Sequence, residues 1–241
     1  MRPTRWLLYD AFTDYIAART LLLADLLKQA AILSSTAIEK CAKAVLAVQG
    51  NTSWGHLGTA HWNALENESH LRSLLNRDFV ELNRKTYILR YTDDLPIDFN
   101  LVIASREFLA ELDHTVLSVL SCFKIDEGQR HRPTGYETAM RKGDERLTAE
   151  NHVISRIPLE QFIYSKPQFV YEVRRDPLRG LFEARYGTNK PARTPGFLRP
   201  GLMFMDSDRV QHQMSHFPIP GTESVLLEGT ELVGAPFTKG T

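Results

Sequence analysis

The sequence predicts a mainly α protein: an antiparallel bundle of four to five helices over residues 1–125, then an irregular α+β extension over 126–241. Two observations predict it. The first is where the helix breakers fall: of 12 Pro and 14 Gly, only Pro3, Pro96, Gly50, Gly55 and Gly58 precede residue 125, and both residue types are costly inside helices. The second is the return of apolar residues at three-and-four spacing through the first half, the pattern of a helix with one buried face.

Each helix has its own stripe. In the first, Leu8, Phe12, Tyr15, Ile16, Leu22 and Leu23 share a face. The second runs from about residue 29 to 48, with Leu33, Ala37, Cys41, Ala44 and Val48 aligned, and stops at Gly50, a residue suited to the left-handed end of a helix. No Gly or Pro separates these two, so Asp25 is assigned as an N-cap. The third covers roughly residues 69–91 through Leu71, Leu75, Phe79, Leu82 and Leu89. The fourth begins after Pro96 and carries Leu101, Ala104, Phe108, Leu112, Val116, Val119 and Phe123. Four stripes joined by short links must face one another, which is an antiparallel bundle. The segment GNTSWGHLGTAHWNALENE is a longer link with room for a short extra helix.

After Phe123 the pattern changes. DEGQRHRPTGYETAMRKGDER is polar and reads as a linker. QFVYEV alternates and predicts a strand, as does SVLLEGTELVG with Gly229 at a turn. Between them, residues 174–200 are rich in Pro, Gly and Arg. This half is expected to wrap on the bundle instead of folding alone. There is no internal repeat.

Composition narrows the function classes. A hydrophobic fraction of 43% with 24% charged residues is that of a globular protein,. Lys plus Arg (29) balances Asp plus Glu (29), so any basic surface must be local. No run approaches the ~18 apolar residues of a membrane span, and RTLLLADLL is broken by Asp25. Arg2 and Arg5 lack the apolar core and cleavage site of a secretory signal, so a cytoplasmic protein with no membrane partner is expected. Cys41 and Cys122 sit in apolar helical patterns and are expected to be buried free thiols.

One stretch carries unexpected charge. STAIEKCAKAVLAVQG, residues 35–50, places Glu39, Lys40 and Lys43 among Ala, Val and Leu. Glu39 and Lys43 are four apart with the acid N-terminal, which stabilises an exposed helix by ~0.2–0.5 kcal/mol, so a solvated face explains them without function. The stretch also resembles the HEPN domain family, whose pattern is an apolar residue, Glu-Lys, two spacers, Lys-Ala and a loop glycine. The likeness continues in His56–Leu57 and in LRYTDD, similar to the family's Arg-Tyr ending, and covers about residues 6–124. It implies a small helical bundle, frequent in prokaryotic toxin–antitoxin and defence systems, working as a homodimer. Glu39 and Lys43 then line a cleft between helices or a dimer interface.

The resemblance raises the question of ribonuclease activity. Nucleases of this family carry Arg, four to six spacers, then His near the end of the third helix. Cleavage through a 2′-hydroxyl needs an acid or base near neutral pKa, which His supplies, and Arg offers a planar fork for phosphate. This chain reads NRKTYILRYTDD. With Arg84 on the motif Arg, the His positions fall on Leu89, Arg90 and Tyr91. Arg84 and Tyr91 match a longer form of the pattern, and the His is missing. Leucine carries no proton, so binding without cleavage is expected, with Arg84, Lys85, Arg90 and Tyr91 as a basic and aromatic edge for nucleic acid or a nucleotide. The competing reading is a metal-independent endoribonuclease toxin with a displaced His, such as His152, five residues beyond Arg146.

Two other clusters are candidates. Between 174 and 199, Arg174, Arg175, Arg179, Arg185, Lys190, Arg193 and Arg199 face only Asp176 and Glu183, with Phe182, Tyr186 and Phe197 interleaved. Such a basic loop fits a phosphate backbone or an acidic partner protein, and a purely partner-binding structural module is the third reading. Asp206, Asp208, His212 and His216 place two His four apart, a spacing that on a helix could chelate a divalent metal. The sequence carries no phosphate-loop, dinucleotide or serine-elbow pattern, and no cofactor is expected.

Overall fold

A computed structural model of the 241-residue chain describes residues 4–53, 55–97, 99–124, 126–127, 130–176 and 180–188. The expected strand at 224–234, together with Arg179, Lys190, Arg193, Phe197, Arg199, Asp206, Asp208, His212 and His216, lies outside the described residues.

The first two helices, α1 (Thr4–Leu23) and α2 (Leu27–Val48), form the spine of the bundle. Their link corrects one expectation. Asp25 is not the N-cap of α2: Leu26 holds that position with no side-chain cap. Asp25 instead adopts left-handed backbone, φ 57°, and the Leu26 amide donates to the Leu21 carbonyl at 2.9 Å. It therefore closes α1, in a conformation that the short polar Asp tolerates better than most residues. At the far end of α2 the expected glycine stop is found. Gly50 has φ 74°, and the Asn51 amide reaches back to the Leu46 carbonyl at 2.8 Å. Leu23 and Val48, the last residues of their stripes, are exposed.

The third stripe is right and its helix is not. Leu71, Leu75, Phe79, Leu82 and Leu89 are all buried, but no single helix carries them, and Leu75 lies in a link between two helical pieces. After α3 (Thr59–Asn67) come α4 (Ser69–Arg72), α5 (Arg77–Thr86) and two 3₁₀ turns, Tyr87–Arg90 and Thr92–Asp94. Asn76 makes the break, its side-chain oxygen accepting the amides of Asp78 at 3.0 Å and Phe79 at 3.4 Å, which starts a new helix. The fourth helix is likewise shorter than expected. Asn100–Ala104 is a strand, β1, and only Ser105–Ser121 is helical, as α6. The β-branched Val102 and Ile103 suit a strand, and pairing partners lie far along the chain.

Those partners belong to the extension. It opens with a short antiparallel pair, β2 (Asp126–Glu127) and β3 (Arg130–His131). The segment expected as a linker then holds α7 (Gly135–Lys142) and α8 (Glu145–Thr148), followed by α9 (Leu159–Tyr164). A capping box starts α7, the Glu137 amide donating to Thr134 Oγ1 at 3.1 Å and the Thr134 amide to Glu137 Oε2 at 2.7 Å,. Next come β4 (Gln168–Asp176), the expected strand, and β5 (Gly180–Thr188), in a region expected to be irregular. The sheet order is β1-β4-β5, antiparallel throughout, with Val102 opposite Glu172 and Val170 opposite Tyr186.

One face of this sheet turns Leu101, Ile103, Tyr171 and Val173 into the bundle core, which also takes Leu147, Phe162 and Ile163 from the extension. The other face carries a small cluster of Val102, Ala104, Val170 and Tyr186. Cys41 is buried, and burial pushes its thiol up to about 12. Cys122 is exposed, against expectation, because it lies just past the end of α6. No helix among the described residues is long and apolar enough to cross a membrane.

A polar network joins the two halves inside the core. Arg19 and Asp113, both fully buried, form an ion pair. Arg19 Nε donates to the Arg146 carbonyl at 3.0 Å, and Nη2 donates to that of Ala149. Tyr15 donates its hydroxyl to Asp113 at 2.8 Å, and Asn151 donates to Tyr15 at 3.3 Å. Arg106, from α6, makes a second tie, donating through Nε and Nη2 to the Phe162 carbonyl and lying 4.1 Å over the Phe162 ring. Removing one partner of a buried pair strands the other, so Asp113→Ala is expected to lower stability by about 3–5 kcal/mol. Urea unfolding measures this, and a double variant carrying Arg19→Met and Asp113→Leu should recover much of the loss.

Candidate functional site

The charged stretch of α2 does not simply face solvent. Glu39 is buried, and Lys43 Nζ lies 2.6 Å from its Oε1. The same ammonium donates to the Gly55 carbonyl at 2.7 Å. Gly55 has φ 106°, a backbone state strained for any side chain, and so the loop after α2 can bring this carbonyl to Lys43. Lys40 turns the other way, to Asp14 of α1 at 2.6 Å.

The loop also delivers an imidazole. His56 Nδ1 stands 3.4 Å from Glu39 Oε2. Its ring stacks on Tyr87, with centroids 3.7 Å apart and 28° between planes, which brings the Tyr87 hydroxyl to 2.5 Å from Nε2. Arg90 lies 4.5 Å from the centroid of the Tyr87 ring and donates through Nη2 to Thr36 Oγ1 of α2 at 2.9 Å. Thr36, Glu39, Lys43, His56, Tyr87 and Arg90 thus form one cluster where α2 meets the turn Tyr87–Arg90. Tyr91, next in the chain, is 59% exposed. A fixed guanidinium, an exposed imidazole and an exposed aromatic ring can together hold a phosphate and stack on a base.

Beneath the cluster lies His61, in the first turn of α3. Its Nδ1 accepts the Gly58 amide at 3.1 Å, so the proton of the neutral ring sits on Nε2, a buried atom with no hydrogen-bond partner. Burial lowers its pKa below 6.5, Lys43 and His56 adding to the effect and Glu39 opposing it.

The residues expected from the sequence divide. Glu39, Lys43 and Arg90 join the cluster. Arg84 pairs with Glu81 at 3.0 Å on the exposed face of α5, and Lys85 is half-buried beside it. Leu89, one of the three positions expected for the motif His, is in the core. Arg146 and His152 are not brought together. Arg146 points outward and pairs with Asp144 at 2.7 Å, whereas His152 is buried, with Nδ1 3.2 Å from the Ile157 carbonyl and Nε2 3.0 Å from that of Ala110. Arg174, Arg175 and Arg185 lie on strands rather than a loop, so alternation sends Arg174 and Arg175 to opposite faces. Arg175 donates to the carbonyls of Asp93 at 2.9 Å and Leu95 at 2.5 Å, and Arg185 lies 5.8 Å from the Tyr171 ring centroid. No three His, Cys, Asp or Glu side chains among the described residues are grouped to hold a metal.

Sequence reasoning missed His56, Thr36 and His61 as members of the site. The available signal was His56–Leu57 itself, which stands just after the loop glycine of the charged-helix pattern. A bundle with its charged second helix facing such a turn defines the class, and the HEPN domain model matches residues 4–124, half of the chain. The chain belongs to the HEPN family. No curated protein and no solved structure matches it.

The His61 environment makes stability depend on pH. As pH falls through 6.5 toward the lowered folded value, the unfolded chain takes up the proton first, so stability is lost on acidification and retained above 6.5,. The urea midpoint of wild type is expected to drop more between about pH 7 and about pH 5 than that of His61→Gln.

Proposed function

We propose that the chain binds single-stranded nucleic acid or a nucleotide at the Thr36–Lys43–His56–Arg90 edge and releases it uncut. The observation that carries this reading is the pairing of a held but exposed Arg90 with exposed Tyr91, in a stretch with no His at any of the three positions, 89–91, where the family's motif would place it. Arg90 is the phosphate ligand and Tyr91 the stacking surface. Glu39 is bonded to Lys43, which leaves Arg90 as the cluster's cation without an acidic partner in it.

Filter binding of single-stranded RNA over a salt series tests it. The wild type should bind at low salt, and Arg90→Ala should weaken binding and flatten the dependence of log K on log salt by about 0.7, the share of one phosphate contact. Absence of binding at low salt removes the reading.

One observation favours a second reading, a ribonuclease with a displaced imidazole: His56 stacks on the tyrosine that Arg90 also covers. An end-labelled RNA incubated with metal-free protein separates the two. Binding without cleavage sustains the first reading. Cleavage by wild type that disappears in His56→Ala establishes the second.

A further inference from the structure

Among the described residues, Arg175 of β4 ties the extension to the segment that follows the candidate site. Its guanidinium donates through Nη1 to the main-chain carbonyls of Asp93 and Leu95, and its own amide donates to the Phe99 carbonyl at 2.9 Å. Three hydrogen bonds from one residue therefore hold the stretch that follows Arg90 and Tyr91 in the chain. Apart from the buried Leu95 side chain, this stretch has little hold of its own. The Tyr91, Asp94 and Phe99 amides make only short-range bonds, to the carbonyls of Ile88, Tyr91 and Pro96, and Tyr91 and Ile97 are exposed.

A guanidinium engaged by two carbonyls has fewer donors left for phosphate. We infer that Arg175 is a positioning residue, which fixes the segment 91–95 and thereby sets Arg90 and Tyr91 for the ligand, rather than a phosphate contact in its own right. The inference rests on the binding reading above and adds the extension to it: the second half of the chain tunes affinity through the backbone of the first.

The salt dependence of binding separates the two roles. A positioning residue changes the fit of other groups without releasing a counterion, whereas a phosphate contact contributes its own increment to the slope. Anisotropy of fluorescein-labelled poly(U) over a potassium chloride series, with full-length protein, is the measurement. Arg175→Ala is expected to bind roughly fivefold more weakly, as for lost supporting hydrogen bonds, with the wild-type slope. Arg175→Lys, which keeps the charge but not the fork, should recover only part of the affinity. A slope flattened by about 0.7 in Arg175→Ala and restored in Arg175→Lys overturns the inference, because that is the behaviour of a phosphate ligand.

Hydrogen exchange without RNA supplies the independent arm. Exchange at the Tyr91 and Asp94 amides should accelerate in Arg175→Ala, which keeps the main-chain bond to Phe99, while the core amides of α2 and α6 keep wild-type protection. Unchanged exchange at those two amides also overturns the inference. If wild type does not bind poly(U), the binding reading falls and the ligand half of this inference falls with it. Exchange then decides alone whether Arg175 holds the segment.

Discussion

The structure depends on a charge that should not be where it is. Arg19 is fully buried on α1, and an unpaired guanidinium in a protein interior is prohibitively costly. Its site is acceptable because its donors are matched: Asp113 from α6, then the carbonyls of Arg146 and Ala149 from the extension. Burial pushes the Asp113 carboxyl up, and Arg19 and Tyr15 pull it back. Such a pair adds little net stability over apolar packing, but its conditions are strict. Two of the acceptors come from beyond residue 125, so undocking α8 and the chain after it would leave Arg19 with Asp113 and strip it of its two carbonyl partners. The polar network therefore works as a lock between the halves more than as a source of stability.

The same dependence reaches the far end of the bundle. β1 lies within the family-matched residues, yet its partner β4 comes from the extension. Lys28, in the first turn of α2, pairs with Glu183 of β5 at 2.9 Å. The segment between α5 and β1 is thus bordered by bundle helices on one side and by extension strands on the other. The Tyr87–Arg90 turn takes its place from this frame, and α2 meets it there with Thr36, Glu39 and Lys43.

The apolar stripes were legible because burial follows periodicity whatever the backbone does between contacts. Leu71 to Leu89 were assigned to the core correctly even though Asn76 interrupts the helix that was expected to carry them. The interruption had a local signal, Asn followed by an acidic first turn, which the continuous stripe masked. β1 was not legible in the same way. Leu101 fits a helical stripe and a strand equally, and the choice is made by β4, some seventy residues later in the chain. Asp25 failed as a cap because a glycine-like conformation at a non-glycine residue leaves no clear compositional trace. At the site, the sequence itself shows no His at Leu89, Arg90 or Tyr91. The arrival of His56 beside Tyr87 was not legible, since it depends on how the loop folds back around Gly55.

That imidazole bears on the proposed choice between binding and cleavage. In a proton-transferring constellation a histidine is oriented by a carboxylate on one nitrogen and leaves the other open toward the substrate. Here Glu39 is bonded to Lys43 at 2.6 Å and stands 3.4 Å from His56 Nδ1, beyond the usual hydrogen-bond distance. The other nitrogen meets the Tyr87 hydroxyl. Both ends of the ring thus face groups of the protein itself, and the stack on Tyr87 occupies one of its faces. To act on a ribose hydroxyl, His56 would have to leave Tyr87 and lose the contact that holds the ring in place. Arg90 needs no such rearrangement: Thr36 takes one of its N–H groups, the Tyr87 ring supports the guanidinium plane, and the remaining donors are available to a phosphate. This arrangement is what the proposed binding reading rests on: an anion can be held here without the rearrangement that proton transfer by His56 would need.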